Sequence, residues 1–336
     1  MVEHCSISTI SELCKDEAET VMLGGNLYQS ARQFFDYGRE RIGNVALVDD
    51  AFDMPTICDM ASLPQLNDIF AYLATDLSDG WRIQFKDMDS YAYDMDVDHK
   101  ILSVNSHGLM PHKALNSNYF TPQIFIALAE GLRMVRHVEW LDGEMDHYTP
   151  ESVLFIGRLC VADSIAQTIM TAWFAKCDDY DAMWKHLLCS DYAAMAIQFA
   201  RTYEILLSSG YDDDIALKRA MAMACNTWFS NTDKVFQCDQ DSLDMMDDML
   251  AQDIRFGAKD VDARIIACLT VMAGGSASYI DQTHITDILQ NPYYMAVTDT
   301  IHRAHLMQII DDAQCTMVHG IPFQDAALAA RFALCE

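Results

Sequence analysis

With 336 residues, half of them hydrophobic, the chain can bury a full core as one large domain or two closely packed ones. Its 50 acidic residues against 22 basic ones give a formal charge of −28, which argues against nucleic acid or an anionic membrane as partner. Eleven cysteines with no Cys-x-x-Cys pair read as reduced, mostly buried thiols, so a cytoplasmic protein of an acidic bacterial proteome is expected.

The segment Met1 to Ser6 shows no basic stretch leading into an apolar run, so no secretory signal is expected. Residues 9–41 carry helical periodicity in two parts, Ile10 to Met22 and Leu27 to Tyr37, broken at Gly24-Gly25 and ended by Gly43-Asn44. Asp49 to Thr56 reads as a loop, and Leu63-Pro64 opens a short helix through Leu73. After the Asp79-Gly80 turn the period changes from helical to alternating. Trp81, Ile83 and Phe85, then Tyr91, Tyr93 and Met95, then Ile101 to Val104 predict three short antiparallel strands in a meander. Three strands are stable only with one face packed on helices. Ser106 to Asn118 is a loop.

Two central helices follow, Thr121–Trp140 and Glu151–Ala175. In the first, Phe125, Leu128, Leu132, Val135 and Val138 keep helical spacing, and Arg133 and His137, four apart, share a face. The second is apolar nearly all round, which predicts burial, and Arg158, Asp163 and Gln167 argue against a membrane span. Charges in such a helix need partners. The remainder predicts helices over 181–188, 192–207, 215–229, 241–250, 260–273, 283–290, 293–314 and 322–334. The expected class is α+β, predominantly α-helical, with a small antiparallel meander packed on helices. A helical region over 1–80, a core over 81–260 and a helical region over 261–336 are expected, or equally one compact domain.

The order of short strands, a helix with Arg133-Met-Val-Arg-His137 and a helix with Arg158-x-x-Val-Ala-Asp163 resembles a bacterial family of uncharacterised metallopeptidase-like proteins with a zincin-like core. Ala220–Leu243, with Asn226-Thr227-Trp228-Phe229 and Asp241, is similar to that family's region after the site, so the resemblance covers roughly residues 80–250. The family's first helix bears His-Glu-x-x-His, often with Arg before the second His, and its next helix bears an Arg and then Glu-Ala-Asp. Carried over, the first His falls on Arg133, the Glu on Met134, the Arg on Arg136, the second His on His137 and the acidic ligand on Val161. A zinc hydrolase needs two helical His, a third ligand and a Glu as general base. Of these, His137 alone could bind metal, and Arg133 puts a permanent cation where zinc would sit.

The resemblance therefore implies a zincin-like homologue whose catalytic centre is dismantled. It implies no cofactor, zinc being the alternative, and a retained cleft, built around Arg133, Met134, Arg136, His137, Arg158, Val161 and Asp163, for a peptide or protein. The residues add one physical expectation: Arg133 replaces the metal as the central cation and holds Asp163 in a charge-assisted hydrogen bond. The competing expectation is that Arg133 and Arg136 are surface arginines. A different class of function, a helical interaction or scaffold protein without peptidase ancestry, stands beside this one. A third is a metal site on Asp299, His302 and His305, which helical spacing could bring to one face, against which stands an ordinary solvated face. His147, between the central helices, reads as part of a helix-start loop. Asp94, Asp96 and Asp98 lack the Gly and terminal Glu of a calcium loop. The chain has no Gly-rich phosphate loop or nucleophile elbow.

Overall fold

The computed structural model describes residues 22–23, 26–27, 81–89, 91–108, 119–177, 181–272, 277–318 and 321–333. Most of the helical expectations for residues 1–80, and most of the 106–118 loop, lie outside these. Among the described residues the protein is predominantly helical, with eleven α-helices and three small sheets. Met22–Leu23 (β1) and Asn26–Leu27 (β2) pair antiparallel, Met22 with Leu27 and Leu23 with Asn26. Helical periodicity puts Met22 and Leu27 in helices; they pair as strands instead.

The chain forms two compact units that are not consecutive segments. The first comprises the described residues up to Trp140 together with Asp163–Thr227 and Thr270–Tyr279; the second comprises Leu141–Ala162, Trp228–Leu269 and the residues from Ile280 onward.

In the first unit, Arg82–Lys86 (β3), Tyr93–Asp96 (β4) and Ile101–Asn105 (β5) form one sheet in the order β3-β5-β4. This is not the meander expected from the alternation. Strand β5 is central, antiparallel to β4 but parallel to β3, Ile83 pairing with Leu102. Alternation tells which face a side chain takes; it carries no information on neighbour order. The central strand is buried on both faces, Leu102 to Asn105 all being inside. Asn105 fixes the crossover between β3 and β4: its Nδ2 donates to the carbonyls of Met88 at 2.7 Å and Tyr91 at 2.8 Å.

The long helix Phe120–Leu141 (α1) starts with Pro122 in its first turn, where a missing N–H costs nothing. It packs directly on the sheet at Gly131, where a Cβ would stand 2.7 Å from Leu102 Cδ1. Pro150–Cys177 (α2) is long and apolar enough to cross a membrane, but its most apolar window is 89% buried within the protein. Only the part of α2 from Asp163 onward belongs to this unit, the part before it to the second; Ala182–Leu188 (α3), Ala193–Ser208 (α4) and most of Asp213–Phe229 (α5) complete the first unit. Trp173, Trp184, Phe199 and Tyr203 form an aromatic cluster there.

In the second unit, the helix expected over 241–250 begins earlier, at Thr232, and runs to Ala251 (α6), because Asn231 caps it by accepting from Lys234 N. Ala263–Leu269 (α7) and Gln282–Gln290 (α8) follow. The helix expected over 293–314 is two, Pro292–Met295 (α9) and Thr300–Ala313 (α10), each with its own cap, Asn291 and Asp299. The expected terminal helix is shortened to Ala326–Ala333 (α11) by a hairpin of Thr316–Val318 (β6) and Ile321–Phe323 (β7).

Candidate functional site

Within the first unit, one carboxylate gathers the charged residues of α1. Arg133 Nε donates to Asp163 Oδ2 at 2.5 Å, and His137 Nε2 lies 2.8 Å from the same oxygen. All three side chains are at most 1% exposed. The four-residue spacing stacks Arg133 and His137 on the buried seam of α1, and α2 supplies Asp163 in a stretch with no other anion. Arg133 Nη2 also donates to the carbonyl of Val271 at 2.6 Å, and Gln167, one turn past Asp163, reaches that carbonyl with Nε2 at 3.5 Å.

The electrostatics follow from a permanent cation. Burial alone would raise the Asp163 carboxyl, but the Arg133 charge and the His137 hydrogen bond hold it below the ordinary range, so it is ionised. An ionised oxygen can only accept, which places the His137 proton on Nε2. Burial, seconded by Arg133 and Arg136 and opposed by Asp163, brings His137 down to about 4, so the imidazole is neutral. Its Nδ1, with Asp163 Oδ1, has no hydrogen-bond partner among the described residues. Tyr279 and Cys225 stand beside Asp163. Burial and the Asp163 charge push the tyrosine well above its usual value and the thiol up to about 12. Cys225 is therefore no nucleophile.

This donor set does not fit zinc. The guanidinium is a fixed cation on the carboxylate oxygen that a metal would need, and that same oxygen occupies His137 Nε2. Met134 and Arg136 are part-buried on other sides of α1. Val161, onto which the resemblance put the acidic ligand, is part-buried and two residues from the acid that meets α1; positions two apart on a helix face different ways.

Arg158 does not belong to this cluster. It lies in the second unit, 1% exposed, with Nε and Nη2 on the two oxygens of Asp239 at 2.6 and 2.7 Å and Nη1 on the carbonyls of Tyr294 and Ala296. Five residues from Asp163 along α2, it faces another direction. Asp299, His302 and His305 are likewise separated. Asp299 caps α10 by accepting from Ile301 N and His302 N, which lowers its carboxyl. Buried His302 contacts Gln240 Oε1 through Nε2 at 3.1 Å, and His305 contacts Asp247 at 2.7 Å. No group of three or more His, Cys, Asp or Glu able to hold a metal occurs among the described residues. His147 is exposed, its neighbouring backbone bridged to Lys259.

No family model, curated protein or solved structure matches the chain. The site stands on its own geometry. The residues that sequence reasoning missed are Tyr279, Cys225 and the Val271 carbonyl. A backbone acceptor leaves no mark in a sequence, and Tyr279 lies outside any periodic segment.

Proposed function

We propose that this protein is a non-catalytic, zincin-like metallopeptidase homologue that works by binding a peptide or protein rather than by hydrolysing one. The observation that carries this reading is the convergence of Arg133 and His137, one helical turn apart, on a single oxygen of Asp163. Two residues at that spacing and one acid from the next helix are the layout of a zinc site. Here a guanidinium supplies the positive charge that a metal would otherwise bring, and the position of the general base holds Met134. Packing of the sheet on α1 at Gly131 favours this reading over a purely helical scaffold.

The direct test offers zinc to purified protein and assays hydrolysis of an unstructured casein substrate beside capture of an immobilised peptide library. The expected outcome is no zinc uptake at His137, no cleavage, and saturable peptide capture. Zinc-dependent cleavage abolished by His137→Ala would overturn the reading, as would capture of no peptide at all.

A further inference from the structure

A separate feature of the second unit has the elements of a ligand site. An open cavity of about 610 Å³ lies beside the segment joining α9 to α10, and its walls are chiefly apolar, including Met295, Val297, Leu306 and Ile310. That volume is within the range of small-molecule sites. Two side chains of opposite charge, Arg303 and Glu151, also line it. Both are exposed, and neither forms an ion pair with the other or with any described residue. Arg303 is nonetheless fixed: Nε donates to the Val297 carbonyl at 3.2 Å and Nη2 to the Thr298 carbonyl at 3.0 Å. Its remaining N–H groups are uncommitted, and a guanidinium presents them in the geometry a carboxylate accepts.

The wall itself is held from behind. Buried Arg158, paired with Asp239, donates to the carbonyls of Tyr294 and Ala296, which anchors the start of the segment carrying the apolar wall, while Arg303 holds the carbonyls of Val297 and Thr298 further along it. A site held in shape before binding loses less on binding.

We propose that this cavity binds a short apolar peptide with free termini, its carboxylate on Arg303, its ammonium facing Glu151 and its side chains in the cavity. Neither an alkyl carboxylate nor an alkyl amine uses both charges, and an apolar ligand without charge uses none. The cavity shares no residue with the cluster around Asp163.

Calorimetric titration of the full chain with the dipeptide Leu-Leu tests it, against N-acetyl-Leu-Leu and Leu-Leu-amide. Saturable one-site binding is expected, weakened at least tenfold by either cap. Arg303→Gln should weaken Leu-Leu at least tenfold and the amide by a much smaller factor, since the amide offers Arg303 a neutral carbonyl in place of a carboxylate. Glu151→Gln should behave likewise toward the acetylated form, which offers no ammonium. Both substitutions are on exposed side chains, and an unchanged circular dichroism spectrum confirms folding. Absence of Leu-Leu binding, or capped forms binding as well as the free dipeptide, would overturn the proposal.

Discussion

Removing one member of the Arg133–Asp163 pair should cost far more than removing both. Arg133 is 1% exposed and Asp163 0%, so the pair belongs to the buried regime, where deleting one partner leaves a desolvated charge and costs about 3–5 kcal/mol. An exposed pair would cost only about 0–1 kcal/mol. Arg133→Met leaves the buried Asp163 carboxyl beside Tyr279 and Cys225 without its cation and with only the His137 N–H on it, so it must either stay charged at a cost or take up a proton; Asp163→Asn removes the carboxylate that faces the guanidinium. The double variant Arg133→Met/Asp163→Asn leaves no uncompensated charge, and Asn can still accept from His137, so it should lie within about 2 kcal/mol of the wild type. The singles together then exceed the double by at least about 4 kcal/mol, well beyond the additivity error of about 0.5 kcal/mol for independent sites. Urea unfolding followed by tryptophan fluorescence gives each value from midpoint and slope. Singles costing under about 1 kcal/mol each, or a double costing their sum, would show that the pair is not a buried, coupled one.

Three other outcomes are expected. His137 falls from 6.5 to about 4 on folding, so between these values the unfolded chain takes up a proton that the folded one does not, and stability drops as pH falls through that window. The drop attributable to this group is about 3 kcal/mol at ~1.36 kcal/mol per pH unit; the lowered Asp163 adds a further loss only below 3.8. Unfolding curves from pH 7 to 4 should show this component, and His137→Gln should lack it; identical pH profiles for the two proteins would count against the assignment. Gly257→Ala would place a Cβ 2.1 Å from the His147 carbonyl oxygen, a backbone atom that cannot swing aside, and should cost about 3 kcal/mol or more by thermal unfolding. Arg158→Lys cannot keep two bonds to Asp239 and two to carbonyls, and should lower the urea midpoint by the equivalent of about 2–4 kcal/mol.

What could be read in the sequence follows from which physical signals are local. The two long helices announce themselves by apolar spacing, and the burial of α2 follows from being apolar on every side. The meeting of Arg133 with Asp163 could be anticipated because a buried charge requires a partner and few candidates exist on the neighbouring helix. What could not be read is phase and distance. The acid two positions from Val161 is the one that faces α1, which depends on how α2 is rotated. The partner of Arg158 is 81 residues away on α6. Strand order is invisible in the sequence because β3 and β5 pair in parallel across an intervening strand, and alternation is blind to that. The break between α9 and α10 did leave marks, Asn291-Pro292 and Asp299-Thr300, both cap signatures that the apolar periodicity of 293–314 overrode.

The proposal that Arg133 stands where a metal would is tested most directly by giving the site zinc ligands. Arg133→His/Met134→Glu creates His-Glu-x-x-His on α1 with Asp163 opposite, and the measurement is zinc per chain by elemental mass spectrometry after dialysis against a buffered trace of zinc. One tightly held zinc is expected in the variant and none in the wild type. Stoichiometric zinc on the wild type, or none on the variant while it remains folded, would contradict the proposal.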